Sequence, residues 1–112
     1  MRQITSPEQF FGYPLGTDRT MARWDEIVKY FDLLDQESDR VRTINMGPST
    51  EGNPFLEVII TSPENFENLE EIRKTSMALA DPRGLSQEDI DALVQRALDG
   101  VERVAIELEQ GV

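Results

Sequence analysis

The chain has 112 residues with 22 acidic and 11 basic side chains, a formal net charge of −11, and neither cysteine nor histidine. Such a charge argues against binding to nucleic acid or to anionic membranes, because an acidic surface repels both. Without cysteine the chain can form no disulfide and no thiolate site. Without histidine it lacks the commonest general base and metal ligand in proteins. The length predicts a single domain or fragment, residues 1–112, with a modest core.

No targeting or membrane segment is evident in the sequence. There is no run of 18 apolar residues, so we expect no membrane-spanning helix. The first ten residues lack the apolar stretch of a secretory signal peptide. We therefore expect a cytoplasmic chain as written, although a signal could have been removed from an exported parent protein.

Two helices are predicted before residue 40. Ser6 as N-cap and Pro7 at the first helical position predict a short helix that ends at Gly12. A longer helix is predicted from about Arg19 to Glu37, because its apolar residues recur at spacings of three and four. These residues are Met21, Trp24, Ile27, Val28, Phe31 and Leu34. The aromatic segment between the helices, around Phe10, Phe11 and Tyr13, is interpreted as core packing, with a ligand rim as the alternative.

An antiparallel pair of strands follows. The first strand is predicted over Arg40–Met46 from its alternation of polar and apolar residues. The second, Phe55–Thr61, is rich in aromatic and β-branched residues and is apolar on both sides, which predicts cover on both faces. The seven-residue connection Gly47–Asn53 carries strong turn signals.

The second half of the chain predicts two helices and a third strand. Ser62 and Pro63 begin a helix that Asp81–Gly84 stops, and its acidic first half is interpreted as a solvated face, not a metal site. Ser86 begins the next helix, and Gly100 is placed as its C-terminal cap. Val101–Leu108 then alternates like a strand. The expected fold class is α/β: a small mixed sheet, made of the antiparallel pair and a third strand after two helices, covered by helices.

The turn between the first two strands resembles a known motif. Its sequence, Gly47-Pro48-Ser49-Thr50-Glu51-Gly52-Asn53-Pro54, is similar to the G-x-S-x-E-G-R-P turn of the zinc carboxypeptidases, the carboxypeptidase A-like (M14) metallopeptidases. Tyr13–Arg19 and the helix at Trp24–Leu34 resemble the segment that precedes this turn in some bacterial members. The resemblance spans most of residues 6–80, and it implies that the predicted sheet opens a carboxypeptidase catalytic domain.

The resemblance also implies a function. It identifies the chain as the N-terminal portion of an enzyme that uses zinc to hydrolyse C-terminal peptide bonds, with a peptide as the substrate of the full-length parent. The family's ligands are a His-x-x-Glu pair and a distant His, so no zinc ligand, catalytic base or cofactor is carried over to this chain. Asn53 stands where the family usually has a cleft arginine and is the one implied substrate-binding residue.

Two other functions stay open. The chain could be a non-catalytic acidic α/β interaction module, or an enzyme that works with carboxylates alone and Mg²⁺ or Ca²⁺. Glu51 has a catalytic interpretation, but bonding to the turn amides is the better one. We also expect the isolated chain to form a homo-oligomer through the third strand, whose edge and apolar face would be open.

Overall fold

The computed structural model describes the backbone of residues 3–109 and the side chains of residues 3–104. Within this range the protein has five α-helices and one sheet of two strands. The mixed helix and strand content is therefore as predicted. The chain divides into two compact units, Met1–Ile60 and Thr61–Val112. That residues 1–112 act as one domain stays a prediction.

The first unit begins with a short helix, α1 (Pro7–Phe11), whose predicted ends are confirmed. The Ser6 hydroxyl accepts a hydrogen bond from the backbone N–H of Gln9 at 3.2 Å, which satisfies one of the free amides at the helix start. Gly12 ends the helix with φ 82°, a left-handed conformation that glycine adopts without steric cost.

The long helix α2 (Trp24–Glu37) begins later than the sequence predicts. Arg19, the predicted first residue, has φ 57°, which is incompatible with a right-handed helix. Met21, which the sequence pattern places in the apolar stripe, precedes the helix and is 88% exposed. Turn hydrogen bonds from Thr17 and Thr20 occupy the backbone before α2.

Strands β1 (Val41–Pro48) and β2 (Pro54–Ile60) pair antiparallel, as predicted. Their register pairs Thr43 with Val58 and shifts between Asn45 and Pro48, so that two residues, Met46 and Gly47, stand opposite Phe55. The other prediction for β2, cover on both faces, is wrong. Phe55 and Ile60 are 58% and 67% exposed, on opposite faces of the strand.

Helix α2 is tied to the outer edge of β1 by a carboxylate. The Oδ2 atom of Asp35 accepts hydrogen bonds from the backbone N–H of Thr43 at 2.8 Å and from its hydroxyl at 2.9 Å. The Thr43 amide therefore bonds to a helix side chain and not to β2. This contact fixes which face of the hairpin lies against α2: the face that carries Thr43.

Aromatic rings form the centre of the first unit. Tyr30 is buried, and its ring centroid lies 5.1 Å from that of Phe10 and 5.6 Å from that of Phe11. The Tyr30 hydroxyl donates to the carbonyl oxygen of Thr5 at 2.9 Å, and Thr5 in turn donates to Glu37. These contacts support the interpretation of the aromatic segment as core packing.

The second unit contains α3 (Pro63–Glu67), α4 (Leu69–Ala80) and α5 (Gln87–Glu109). The single helix predicted after Ser62 is broken at Asn68, whose φ and ψ of −110° and 15° leave the helical region. The Asn68 side chain donates to the carbonyl oxygen of Glu64 at 2.9 Å, a local bond that competes with helix continuation.

The predicted third strand is wrong, because Val101–Leu108 lies within α5. Gly100 is an interior helical residue there, not a C-terminal cap. Val101 and Val104 extend the apolar stripe of Ile90, Val94 and Ala97 at helical spacing, so the same residues fit a period of 3.6 as well as a period of two. A three-stranded sheet is therefore not formed by the described residues.

Candidate functional site

The turn that joins β1 to β2 is built on two glycines and a serine. Gly47 has φ 98° and Gly52 has φ 80°, so both positions favour glycine. The Ser49 carbonyl oxygen accepts from the Gly52 amide at 2.9 Å, and the Ser49 hydroxyl accepts from the Asn53 amide at 3.1 Å. Ser49 thus has the role that the sequence assigned to Glu51, and Glu51 lies exposed in the turn.

Asn53, the one predicted site residue, is held by its backbone. Its carbonyl oxygen accepts from the Ser49 amide at 2.8 Å, while its amide donates to the Ser49 hydroxyl. Both backbone groups are therefore engaged in the turn, and the residue is exposed at the end of the hairpin. No catalytic or metal residue was predicted beside it.

Trp24 fixes the turn against the start of α2. Its indole N–H donates to the carbonyl oxygen of Pro54 at 3.0 Å, directly after Asn53. The bond joins the indole of the first helical residue to the first residue of β2. Turn, strand pair and helix start therefore form one local assembly.

The sheet face opposite α2 is the feature that sequence reasoning missed. Side chains alternate along a strand, and paired residues share a face. Ile44, Met46, Phe55 and Ile59 consequently lie on the face away from Thr43. Phe55, Met46 and Ile44 are 58%, 54% and 38% exposed. We call these four residues, with Arg42 and Glu57 beside them, the hairpin face. The apolar run of β2 was the available signal, but it was interpreted as burial on both sides.

An open depression of about 370 Å³ lies elsewhere on the first unit, lined by Gln3, Leu33, Gln36 and Glu37. The Glu37 carboxylate accepts from the Thr5 amide at 2.9 Å and from the Thr5 hydroxyl at 2.8 Å. These two bonds, the backbone one first, hold the pKa of Glu37 below its ordinary value. Glu37 is therefore occupied with the N-terminal segment.

A polar cluster in the second unit joins α3 to α5. Asn65 is only 4% exposed, and its amide nitrogen donates to the Thr61 hydroxyl at 2.9 Å and to the Gly100 carbonyl oxygen at 3.0 Å. Its amide oxygen accepts from Arg103 at 3.1 Å, and Arg103 also pairs with Glu64 at 3.1 Å. Each polar atom of the Asn65 side chain is bonded, so the cluster is structural.

In the part of the chain that the structure describes, no three acidic side chains come together in a way that could hold a metal ion. The helices in that part include none with the length and apolar character to cross a membrane. Comparison of the chain with protein-family models, with curated proteins and with solved structures found no match.

Proposed function

We propose that the chain is the N-terminal segment of a zinc-dependent metallocarboxypeptidase, a non-catalytic piece whose hairpin turn borders the peptide-binding cleft of the parent enzyme. Zinc and the catalytic base belong to the full-length parent. Asn53 is the residue of this chain that would contact substrate.

The conformation of the turn is the observation that supports the proposal. The two glycines that match the G-x-S-x-E-G-R-P motif, Gly47 and Gly52, both have positive φ. The matching serine, Ser49, bonds to Asn53, which follows Gly52. The motif residues thus have structural reasons to occur at this spacing, and they present Asn53 outward between two antiparallel strands. Helix α2 precedes the strand pair, as the corresponding segment does in the members of the family that the chain resembles.

The proposal is tested first on the parent sequence. Reading the coding sequence past Val112 should give a His-x-x-Glu motif, and the longer protein should release C-terminal residues from peptides in a zinc-dependent manner. The 112-residue chain is the matched control and should be inactive. A longer protein without that motif, or one without peptidase activity when zinc is supplied, would refute the proposal.

The second test concerns Asn53. Arginine offers a charged bidentate donor to a peptide carboxylate, whereas asparagine offers a neutral amide. Asn53→Arg in the longer enzyme should lower KM for peptide substrates. Glu51→Gln, which changes the net charge of the turn by the same amount without adding an arginine, is the control. An unchanged KM in Asn53→Arg would mean that position 53 does not face the cleft.

A non-catalytic interaction module is the second candidate, and the hairpin face favours it. Contiguous exposed apolar patches of a few hundred Å² often mark interaction sites, whereas scattered single apolar residues on a surface do not. The discriminating measurement is peptidase activity of the longer protein, because this candidate predicts none.

A further inference from the structure

We propose that the outer edge of β2 is a binding site for an extended, positively charged peptide segment, which adds to the hairpin as a third, antiparallel strand. The inference goes beyond the peptidase proposal, because it needs neither zinc nor a catalytic base. It also differs from the association expected through Val101–Leu108, because those residues are helical and offer no strand edge.

The hydrogen-bonding pattern of the hairpin identifies the free backbone groups of β2. In an antiparallel pair, residues that bond across the ladder alternate with residues whose N–H and C=O groups point outward. Thr43 is of the outward kind, because its amide bonds to Asp35, and Val58 is its partner across the strands. Val58 therefore directs its N–H and C=O groups away from β1. The alternation gives Leu56 and Ile60 the same direction.

Trp24 marks one end of this edge. Pro54 lies two residues before Leu56, and its carbonyl oxygen accepts from the Trp24 indole, which comes from outside the ladder, at 3.0 Å. Helix α2 bonds to this edge at Trp24 and to the opposite edge at Asp35, so it crosses the sheet and leaves the β2 edge toward Ile60, which is 67% exposed. Among the residues that the structure describes, no third strand pairs with β2.

The side chains of an added strand would meet an apolar, acidic, apolar series. Phe55, Glu57 and Ile59 follow one another on the hairpin face, and Phe55 and Glu57 are exposed. The outward groups of β2 belong to the residues between them. These three residues would therefore form the non-hydrogen-bonded pairs with the new strand, in which side chains come closest. The complementary sequence is apolar–x–basic–x–apolar, with main-chain bonds supplying affinity and alternate side chains supplying specificity.

Charge favours a basic occupant over a second copy of the chain. The chain carries −11, so another copy is repelled as a whole, whereas a basic segment is attracted. Glu57 is the charge of the hairpin face nearest to the added strand. Arg42 lies on β1, two strand spacings or about 10 Å from that strand, so Glu57 sets the local preference.

The first test is a titration of the isotopically labelled full chain with the capped heptapeptide T-V-T-K-T-V-T, followed by NMR. The antiparallel register places its lysine opposite Glu57 and its two valines beside Phe55 and Ile59. We expect saturable binding with a Kd below about 1 mM. The matched control is T-V-T-E-T-V-T, which places a carboxylate opposite Glu57 and should bind about tenfold more weakly.

Methylation of the peptide backbone distinguishes strand addition from binding to an apolar face. The amides of the third and fifth peptide residues face Val58 and Leu56, whereas the amide of the fourth residue faces away from β2. N-Methylation of the third and fifth amides should weaken binding at least about tenfold, and N-methylation of the fourth alone should change Kd by less than about threefold. In the complex, hydrogen exchange should slow at the amides of Leu56, Val58 and Ile60.

Charge exchange on the protein tests the role of Glu57. Glu57→Lys should weaken binding of the lysine peptide about tenfold and make the glutamate peptide the tighter ligand. Glu51→Lys makes the same change in net charge at an exposed residue of the turn, away from the proposed edge, and should leave the order of the two peptides unchanged. Circular dichroism should show that both variants keep their fold.

Three results would overturn the proposal. Absence of binding at about 1 mM peptide, or equal binding of the two methylated peptides, would exclude the β2 edge as the site. Slowed exchange at the three edge amides in the peptide-free chain, increasing with its concentration, would assign the edge to a second copy. Equal affinity of the lysine and glutamate peptides for the unmodified chain would refute the preference for a basic segment. Because no peptidase activity is measured, none of these results bears on the proposed enzyme function.

Discussion

Replacing Asn65 by alanine should destabilise the second unit more than any other single polar substitution there. The side chain makes three hydrogen bonds to Thr61, Gly100 and Arg103 from a site that is 4% exposed. In the alanine variant, Arg103 would keep its ion pair with Glu64, and the Gly100 carbonyl oxygen would keep its hydrogen bond within the helix. Neither partner would therefore be left without any bond. At about 1 kcal/mol net for each bond, with a small cavity added, we expect a loss of about 2–3 kcal/mol.

Urea denaturation followed by circular dichroism measures this loss. For a small protein with a slope near 1 kcal/mol/M, the midpoint should fall by about 2–3 M. The control is Asn68→Ala, which removes a single exposed bond to Glu64, four residues earlier in the chain, and should change stability by less than about 1 kcal/mol.

Asn65→Asp separates hydrogen bonding from volume. The aspartate is nearly isosteric and can accept from Arg103, but it cannot donate to the Gly100 carbonyl oxygen, so it should not recover the lost stability. Equal midpoints for Asn65→Ala and Asn68→Ala, or full stability of Asn65→Asp, would refute the assignment of the cluster as the link between α3 and α5.

Four further predictions concern backbone, packing and pH. Gly52→Ala should cost about 1–2 kcal/mol in thermal unfolding, because φ is 80° there although the space is open. Gly100→Ala should instead stabilise by up to about 1 kcal/mol, because the residue is helical and the new methyl group would meet the nearest atom at an ordinary 3.9 Å. Trp24→Phe should cost about 1 kcal/mol in urea titrations through loss of the indole bond to β2. Hydrogen bonds from Thr5 lower the pKa of Glu37 in the folded state, so Glu37 stabilises the fold above its unfolded pKa of about 4.3, and this stabilisation is lost as pH falls through the lower folded value. Glu37→Gln should flatten that part of the plot of unfolding free energy against pH. An unchanged plot would contradict the contact.

The sequence predicted those elements whose ends carry their own chemical signal. Ser6 and Ser62 each precede a proline and accept the bond from the third helical amide, so both helix starts are correct. The strand pair follows from Gly47 and Gly52, whose positive φ forms the turn between two apolar runs.

The errors occur where a distant contact decides between two local possibilities. Gly100 resembles a helix end in sequence, yet it lies inside α5, and its carbonyl oxygen accepts a hydrogen bond from the distant Asn65 side chain. The helix therefore continues through residue 100, and the strand predicted after it does not form. The hairpin face was missed for a related reason: an apolar run of residues does not say how many layers cover it.

The carboxylate of Asp35 has a consequence for how this protein can fail. Cross-β fibres grow by adding strands to both sides of a template, and each molecule must therefore offer two open borders. Here the border along β1 is occupied at Thr43, where the amide donates to Asp35 at 2.8 Å. A further strand can be added along the edge of β2. The opposite edge, along β1, is then not free at Thr43. Asp35 thus disfavours the addition of a further strand beside Thr43, although the hairpin exposes apolar side chains.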